Sequence, residues 1–152
     1  MEAFNNFYNN KKILVTGHTG FKGSWLCEWL LSLGAKVIGI GLNPNTDPSL
    51  FDGLRLSERV KDIRIDIRET DKVLRVFEEY KPDVVFYLAA QALVRQSYKM
   101  PVDTISTNTI GTINILEAIR SQNENTIGIM VTSDKCYENR EWLHSYREND
   151  RM

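Results

Sequence analysis

Cysteine is scarce in this 152-residue sequence: Cys27 and Cys136 are the only two. Two thiols do not make a metal cluster, and neither stands in a Cys-x-x-Cys pair, so a cysteine-built metal centre and a redox dithiol are both excluded. Cys27 falls within an apolar helical pattern, where a buried reduced thiol is expected. No apolar run reaches the roughly 18 residues of a membrane span. The amino-terminal MEAFNNFYNNKK has no apolar core of the kind a secretory signal needs. Neither sign of charge is in excess: 19 basic and 20 acidic side chains leave a formal charge of −1. That balance gives no electrostatic reason for nucleic acid or an anionic membrane as partner. A soluble, cytoplasmic protein is expected. What is present is a hydrophobic share of 42%, enough for a sizeable core, and a charged share of 26% to solvate the outside. The length suits one compact domain.

Apolar runs and amphipathic stretches alternate along the chain. Lys12 to Thr16 (KILVT) is a short apolar run ending at glycine, hence a buried strand. Phe21 to Leu33 reads as a helix, with Phe21, Trp25, Trp29 and Leu33 recurring every fourth residue beside Leu26 and Leu30, and Gly34 as its stop. Val37 to Ile40 is a second strand, and Asn43 to Gly53, with two prolines, is the clearest loop. Ile63 to Ile67 alternates as a short third strand. Glu69 to Tyr80 is an amphipathic helix with Val73, Val76, Phe77 and Tyr80 on one face, closed by Pro82. Val84 to Ala90 is a fourth strand and Thr126 to Thr132 a fifth, joined by a helix over Asp103 to Ser121 carrying Ile105, Asn108, Thr112, Ile115 and Ile119 along one side. The polar, aromatic tail after Thr132 has no periodicity and reads as loop. This alternation predicts an α/β fold, a Rossmann-type doubly wound parallel sheet in the order 3-2-1-4-5. The ligand crevice is expected at the carboxyl ends of the first and fourth strands. Such a sheet normally continues past its fifth strand, so a fragment, truncated there, is expected.

The junction of the first strand and first helix carries Gly17, Gly20 and Gly23 in GHTGFKG. Gly17 permits a tight turn, Gly20 lets backbone approach a pyrophosphate, and Gly23 allows close helix packing; the helix then offers free N–H groups to phosphate. A glycine triplet alone is a weak signal, but a strand before it and a helix after it supply the confirming context. The expected cradle comprises Gly17, Thr19, Gly20, Phe21, Lys22 and Gly23. Lys22 is placed to meet a phosphate or to stay solvated, and His18 is assigned no chemistry. The acid that usually ends the second strand is missing. Asn43 can bond a ribose there, yet it excludes a 2′-phosphate less firmly than a carboxylate, so this position does not decide between NAD and NADP.

GHTGFKGSW, PSLF (Pro48 to Phe51), DIR (Asp66 to Arg68), LAAQALVRQSY (Leu88 to Tyr98), TN-x-x-GT (Thr107 to Thr112) and TSDKCYENREW (Thr132 to Trp142) together resemble the CDP-glucose 4,6-dehydratases of the extended short-chain dehydrogenase/reductase family. The glycine loop and LAAQ are shared widely in that superfamily; TSDKCYENREW and the following YREND are narrower. The resemblance implies a net dehydration of a nucleotide-sugar substrate. Hydride passes from carbon 4 of the glucose to bound NAD, water is lost across carbons 5 and 6, and the hydride returns to carbon 6. It implies that Asp66 and Ile67 flank the adenine, Asp66 being otherwise a cap or surface acid. Leu88, Ala89, Ala90 and Gln91 would line the cofactor. Asn108 would interrupt its helix and hold a water or lysine of a proton relay; a polar Asn on an apolar helix face needs a satisfied partner in any case. Ser133 would hydrogen-bond the reacting sugar hydroxyl, and Asp134 would protonate the departing 6-hydroxyl. Lys135 stands where better-known dehydratases have Glu, and serves as base only if its pKa is lowered; it could instead stabilise an enolate. The plainer alternative makes Asp134 and Lys135 a surface pair. The family's Tyr-x-x-x-Lys is expected to be missing from this chain: Tyr87 and Tyr98 have no lysine four residues on, Tyr137 is followed by Glu141 and Tyr146 by Asp150.

Residues 1–152 are thus expected to be a partial NAD-binding domain, with the base pair and the substrate domain beyond Met152 and a homo-oligomeric assembly. An epimerase or reductase of the same superfamily is a second reading, and a non-catalytic NAD-binding module a third.

Overall fold

A computed structural model describes residues 3–122, 125–133 and 136–152. The elements are β1 (Lys12–Thr16), α1 (Phe21–Ser32), β2 (Lys36–Gly41), α2 (Leu50–Gly53), β3 (Lys61–Arg64), α3 (Thr70–Tyr80), β4 (Val84–Tyr87), α4 (Val94–Lys99), α5 (Pro101–Ile105), α6 (Gly111–Ser121) and β5 (Ile127–Met130). The five strands form one parallel sheet in the order β3-β2-β1-β4-β5, the order the alternation of strand and helix predicts.

Successive side chains of a strand face opposite sides, so each central strand feeds two cores. Leu14 lies between Ile38 and Val85 in the register. These three pack with Ile40 and Tyr87 against Val73, Val76 and Phe77 of α3 and Ile115 and Ala118 of α6. The alternate residues Ile13, Val15, Val37 and Val84 pack against Cys27 and Leu30 of α1, with Phe51 and Leu56. Helices therefore cover both faces, as a parallel sheet requires.

α1 covers its face differently from expectation. Phe21, Trp25 and Trp29 are 70%, 54% and 54% exposed. The residues turned to the sheet are Gly23, Ser24, Cys27 and Leu30. Small side chains let the helix lie close to β1, and bulky aromatics at those positions would hold it away. At its end, Gly34 has φ +79° and donates to Leu31, while Ala35 donates to Leu30, the stop expected of glycine.

Three strands are shorter or displaced. β3 starts two residues early and ends at Arg64, because its partner β2 ends at Gly41 opposite it. β4 stops at Tyr87 since the next two amides, of Leu88 and Ala89, donate to the Thr16 hydroxyl instead of to a strand. β5 is confined to Ile127–Met130, with one further bond from Val131 N–H to the Tyr87 carbonyl. The helix expected at Asp103 begins at Pro101 and is broken by a π-helical turn at Ser106–Ile110. α4, in the stretch after Gln91, has no apolar periodicity to announce it and buries no residue. The tail after β5 has neither α-helix nor strand among its described residues.

Burial pushes the Cys27 thiol up to about 12, whereas Cys136 is exposed. A thiol reagent at neutral pH is expected to label Cys136 alone, with Cys27 reacting only after denaturant; rapid native labelling of both, read by mass spectrometry, would contradict the packing of α1.

Candidate functional site

The carboxyl edge of the sheet is assembled around the loop from Gly17 to Gly23. Gly17 has φ +69°, and a Cβ there would stand 3.0 Å from the backbone N and Cα of Ala89. Its N–H donates to the Ile40 carbonyl at 2.8 Å, so the loop begins wedged between the ends of β2 and β4. Gly23 is glycine for a reason internal to the loop: a Cβ would collide with the Gly17 carbonyl. Gly20 differs. It has an ordinary φ of −74°, and an added Cβ meets only the Gly17 oxygen, at 3.3 Å. A Cβ there needs the Gly17 oxygen to give by a few tenths of an ångström, a smaller obstacle than the fold sets at Gly17 or Gly23. α1 begins at this point with no side-chain cap, so the N–H groups of Phe21, Lys22 and Gly23 have no partner within the helix and face the loop's concavity. The arrangement fits a pyrophosphate. Phe21 and Lys22 are themselves exposed.

Thr19 is buried and its hydroxyl donates to the Leu42 carbonyl at 2.9 Å, fastening the loop to the chain leaving β2. Asn43 is exposed one residue further on. His18, which sequence reasoning left without a role, is fully buried. Its ring occupies the space over Gly39 and Gly41 of β2, lies edge-on to Phe51, and reaches Asp62 through Nε2 at 2.8 Å. A carboxylate only accepts, so the imidazole proton sits on Nε2. Burial holds the His18 pKa below its ordinary value against the opposing pull of Asp62. Asp62 is pushed up by burial, but Arg64 and His18 outweigh this and hold its carboxyl below the usual range. The signal for this cluster was the glycine pair two apart in VIGIG, which clears one face of β2 for a ring.

Asp66 is held by its neighbour. Arg68 donates to its carboxylate from the backbone N–H at 2.9 Å, from Nε at 3.0 Å and from Nη2 at 2.6 Å, and the guanidinium keeps that carboxyl below the usual range. Glu69, not Asp66, holds the N-cap position of the helix that follows, and it makes no side-chain cap bond. The Ile67 side chain is buried against Gly111, where a Cβ would strike it, and its carbonyl accepts from Asn114. Leu88 and Ala89 are half-buried at the exit of β4, and Ala90 is exposed.

Asn108 sits within the π-helical turn, so the helix is interrupted where it stands. It is exposed rather than buried as its place on an apolar stripe suggested. The turn carries its amide over the outside of the chain leaving β4, where Oδ1 accepts from Gln91 N–H at 2.8 Å and Nδ2 donates to Gln91 O at 3.1 Å. Gln91 in turn donates to Thr104 and Leu93 and accepts from Leu93 N–H. The LAAQ segment is thereby pinned to the helix. The Thr112 hydroxyl lies 2.6 Å from Asn108 O and 2.9 Å from the Tyr87 hydroxyl. With one proton on each hydroxyl, Thr112 donates to Asn108 and Tyr87 donates to Thr112.

Ser133 is exposed just beyond β5; Asp134 and Lys135 lie outside the described residues. The tail folds on itself, with Tyr137 stacked on Tyr146 and Arg140 over Trp142. The spacing Tyr-x-x-x-Lys does occur once, at Tyr8 and Lys12. Lys12 opens β1 at the sheet's amino edge, the end opposite the glycine loop, so that pair is not the expected base. Among the described residues no group of three His, Cys, Asp or Glu could hold a metal ion, and no helix is long and apolar enough to cross a membrane.

Residues 14–150 match the GDP-mannose 4,6 dehydratase family. The CDP-glucose 4,6-dehydratase of Salmonella typhimurium is 48% identical over 147 residues, which cover 97% of this chain and 41% of that protein. Among solved structures, an epimerase from Methanothermobacter thermautotrophicus superposes with a TM-score of 0.77 at 25% identity, over 95% of this chain and 42% of that one. UDP-glucose 4-epimerase of Thermus thermophilus, solved in complex with NAD, superposes with a TM-score of 0.64 at 35% identity, over 72% and 33%. The chain thus spans about two fifths of the length of the curated relative that it matches.

Gly20→Val is expected to leave the thermal midpoint nearly unchanged while abolishing dinucleotide binding measured by calorimetry. Gly23→Ala, which must displace the Gly17 carbonyl, is expected to cost about 1–3 kcal/mol of stability. The opposite pattern would contradict these separate roles.

Proposed function

The chain belongs to the GDP-mannose 4,6-dehydratase family, and from that premise we propose that it is the NAD-binding part of a dehydratase converting CDP-glucose to CDP-4-keto-6-deoxyglucose, a lyase of deoxysugar synthesis for surface polysaccharides. The observation that carries the cofactor half of this reading is the room at Gly20 above an uncapped helix. The substrate half rests on the 48% identity to the Salmonella typhimurium enzyme over 147 residues, a stretch long enough to take in the TSDKCYENREW segment. A cytoplasmic location goes with a nucleotide-sugar substrate.

When bound, NAD supplies a reversible hydride acceptor. The residues of this chain hold it and manage protons. Amides at the start of α1 take the pyrophosphate, and Asn43 the ribose near β2. Asp66, already oriented by Arg68, accepts from the adenine amino group with its remaining lone-pair capacity. Leu88, Ala89 and Ala90 bring small or apolar surface beside the nicotinamide ribose. Asn108 acts through Gln91, fixing that wall. Ser133 binds the sugar hydroxyl at carbon 4. Once carbon 4 is a ketone, the carbon 5 proton is acidic; Lys135 takes it or stabilises the enolate, and Asp134 protonates the leaving 6-hydroxyl so that water departs. Hydride at carbon 6 and a proton at carbon 5 complete the product, and the net change is loss of one water.

An epimerase needs no acid for a leaving hydroxyl, so Asp134 favours dehydration over that reading. Tyr98, Val102, Ile105, Ile113 and Leu116 are exposed at helical spacings along α4 to α6, an apolar ridge suited to a homo-oligomer.

Two outcomes are expected. In the complete enzyme, Asp134→Asn still reduces bound NAD, read at 340 nm, but forms little dehydrated product; equal loss of both steps would overturn the role. The 152-residue chain alone yields no 4-keto-6-deoxy sugar from CDP-glucose and NAD, because its one Tyr-x-x-x-Lys, Tyr8 and Lys12, lies at the sheet's amino edge, opposite the glycine loop. Steady product formation by the chain would contradict that.

A further inference from the structure

His18 lies inside the glycine loop, yet no step of the proposed reaction uses its side chain. The ring is fully buried. A Cβ at Gly39 would strike it, and one at Gly41 would stand 3.3 Å from Nδ1. The two ring nitrogens are served unequally. Nε2 donates to Asp62 at 2.8 Å, while Nδ1 is buried with no hydrogen-bond partner among the described residues. The backbone around the ring anchors the loop: the Ser24 hydroxyl donates to the His18 carbonyl at 3.0 Å, and Gly17 N–H donates to the Ile40 carbonyl at 2.8 Å. A ring pinned in this way passes a change in its charge on to the loop.

The charged groups facing the ring are Asp62 and Arg64, both on β3. β2 presents Gly39, Gly41 and the Ile40 carbonyl, and α2 presents the Phe51 ring, none of them titratable. While the imidazole is neutral, the Asp62 carboxylate and the Arg64 guanidinium cancel. Burial favours that neutral form, and Asp62 and the Ile40 carbonyl oppose it. A proton added at Nδ1 turns a buried, unpaired acceptor into a donor. It also leaves the cluster with one net positive charge, in surroundings that screen it less than water does. The loop above is the one proposed to take the pyrophosphate, a dianion.

We infer that His18 is a positioning residue for the bound pyrophosphate: through Asp62 it holds the Gly17–Gly23 loop, and by taking up a proton it sets a buried cation beneath the phosphates, so that dinucleotide and proton each favour the other's binding. The inference rests on the cofactor placement proposed above. Reciprocity fixes the sign: if the pyrophosphate favours the charged ring, the charged ring favours the pyrophosphate by the same factor. Affinity is level while the ring is neutral in both the free and the bound chain. It rises as pH falls through the titration of the bound form. It levels again below the titration of the free form, which burial holds under the ordinary histidine value.

The test is calorimetric titration of the chain with NAD from about pH 8 to about pH 5.5, the range in which histidine changes charge. The His18 imidazole signals are followed by NMR over the same range with and without NAD. Affinity is expected to rise by about three- to tenfold as pH falls, and NAD is expected to move the His18 titration to higher pH. His18→Gln keeps a donor for Asp62 but no titrating charge, and its affinity is expected not to vary with pH. His18→Ala loses the Asp62 bond as well, and is expected to bind NAD more weakly than His18→Gln throughout. His144→Gln, which replaces the other histidine, in the tail, keeps the rise. An affinity independent of pH, a His18 titration that NAD leaves in place, or a rise that survives in His18→Gln or is lost in His144→Gln overturns the inference and leaves the cofactor site standing. The NMR titration needs no variant, so it decides even where His18→Gln does not fold. Failure to bind NAD at any pH overturns the cofactor placement and the inference with it.

Discussion

The backbone of Gly17 rests against the backbone of Ala89, and the carbonyl of Gly17 fills the space that a side chain at Gly23 would take. Both contacts are chain against chain, with no room for a Cβ, and the rest of the carboxyl edge follows from them. Because Gly17 is wedged between β2 and β4, β1 must turn there, which frees the Thr16 hydroxyl to accept the Leu88 and Ala89 amides and end β4. Because Gly23 lets α1 start directly behind Gly17, the first amides of the helix are delivered to the crevice uncapped. Two of the three glycines are thus explained by the protein's own packing. Gly20 is the one that the chain's own packing constrains least.

A second set of contacts fixes this loop relative to the strands beside it. His18 fills the cleared face of β2 and bonds Asp62 on β3, Asp62 bonds Arg64, and Arg64 and Thr19 converge on the Leu42 carbonyl. On the other side, Asn108 and Gln91 bind each other's segments, so LAAQ is held by a helix and not by sheet hydrogen bonds. A site built this way is preorganised: its loops are tied at both ends before a ligand arrives, and less ordering is needed on binding.

The strand order was legible because it depends on the alternation of strand and helix, which apolar runs and glycine stops record directly. The glycine loop was legible for the same reason, since its meaning lies in the strand before it and the helix after it. Periodicity failed where size mattered more than polarity. The four-residue recurrence of Phe21, Trp25 and Trp29 is real, but Gly23, Ser24 and Cys27 make the better contact with a close sheet, so the aromatics face outward. Asn108 was rightly singled out as a polar residue needing a partner, yet its partner is the backbone of Gln91, on the surface. Its exposure follows from the π-helical turn, which no pattern of apolar residues encodes. The role of His18 was hidden because its partner, Asp62, is 44 residues away and only the sheet brings them together.

The central claim is that the crevice at the carboxyl ends of β1 and β4 binds the dinucleotide through the start of α1. The most direct measurement is an amide chemical-shift titration of the chain with NAD. The account predicts the largest shifts at Gly20, Phe21, Lys22 and Gly23, with a second group at Ala89 to Gln91. Shifts centred instead on Lys12, Lys36, Lys61 and Tyr80, which line a groove at the opposite, amino edge of the sheet, would contradict it.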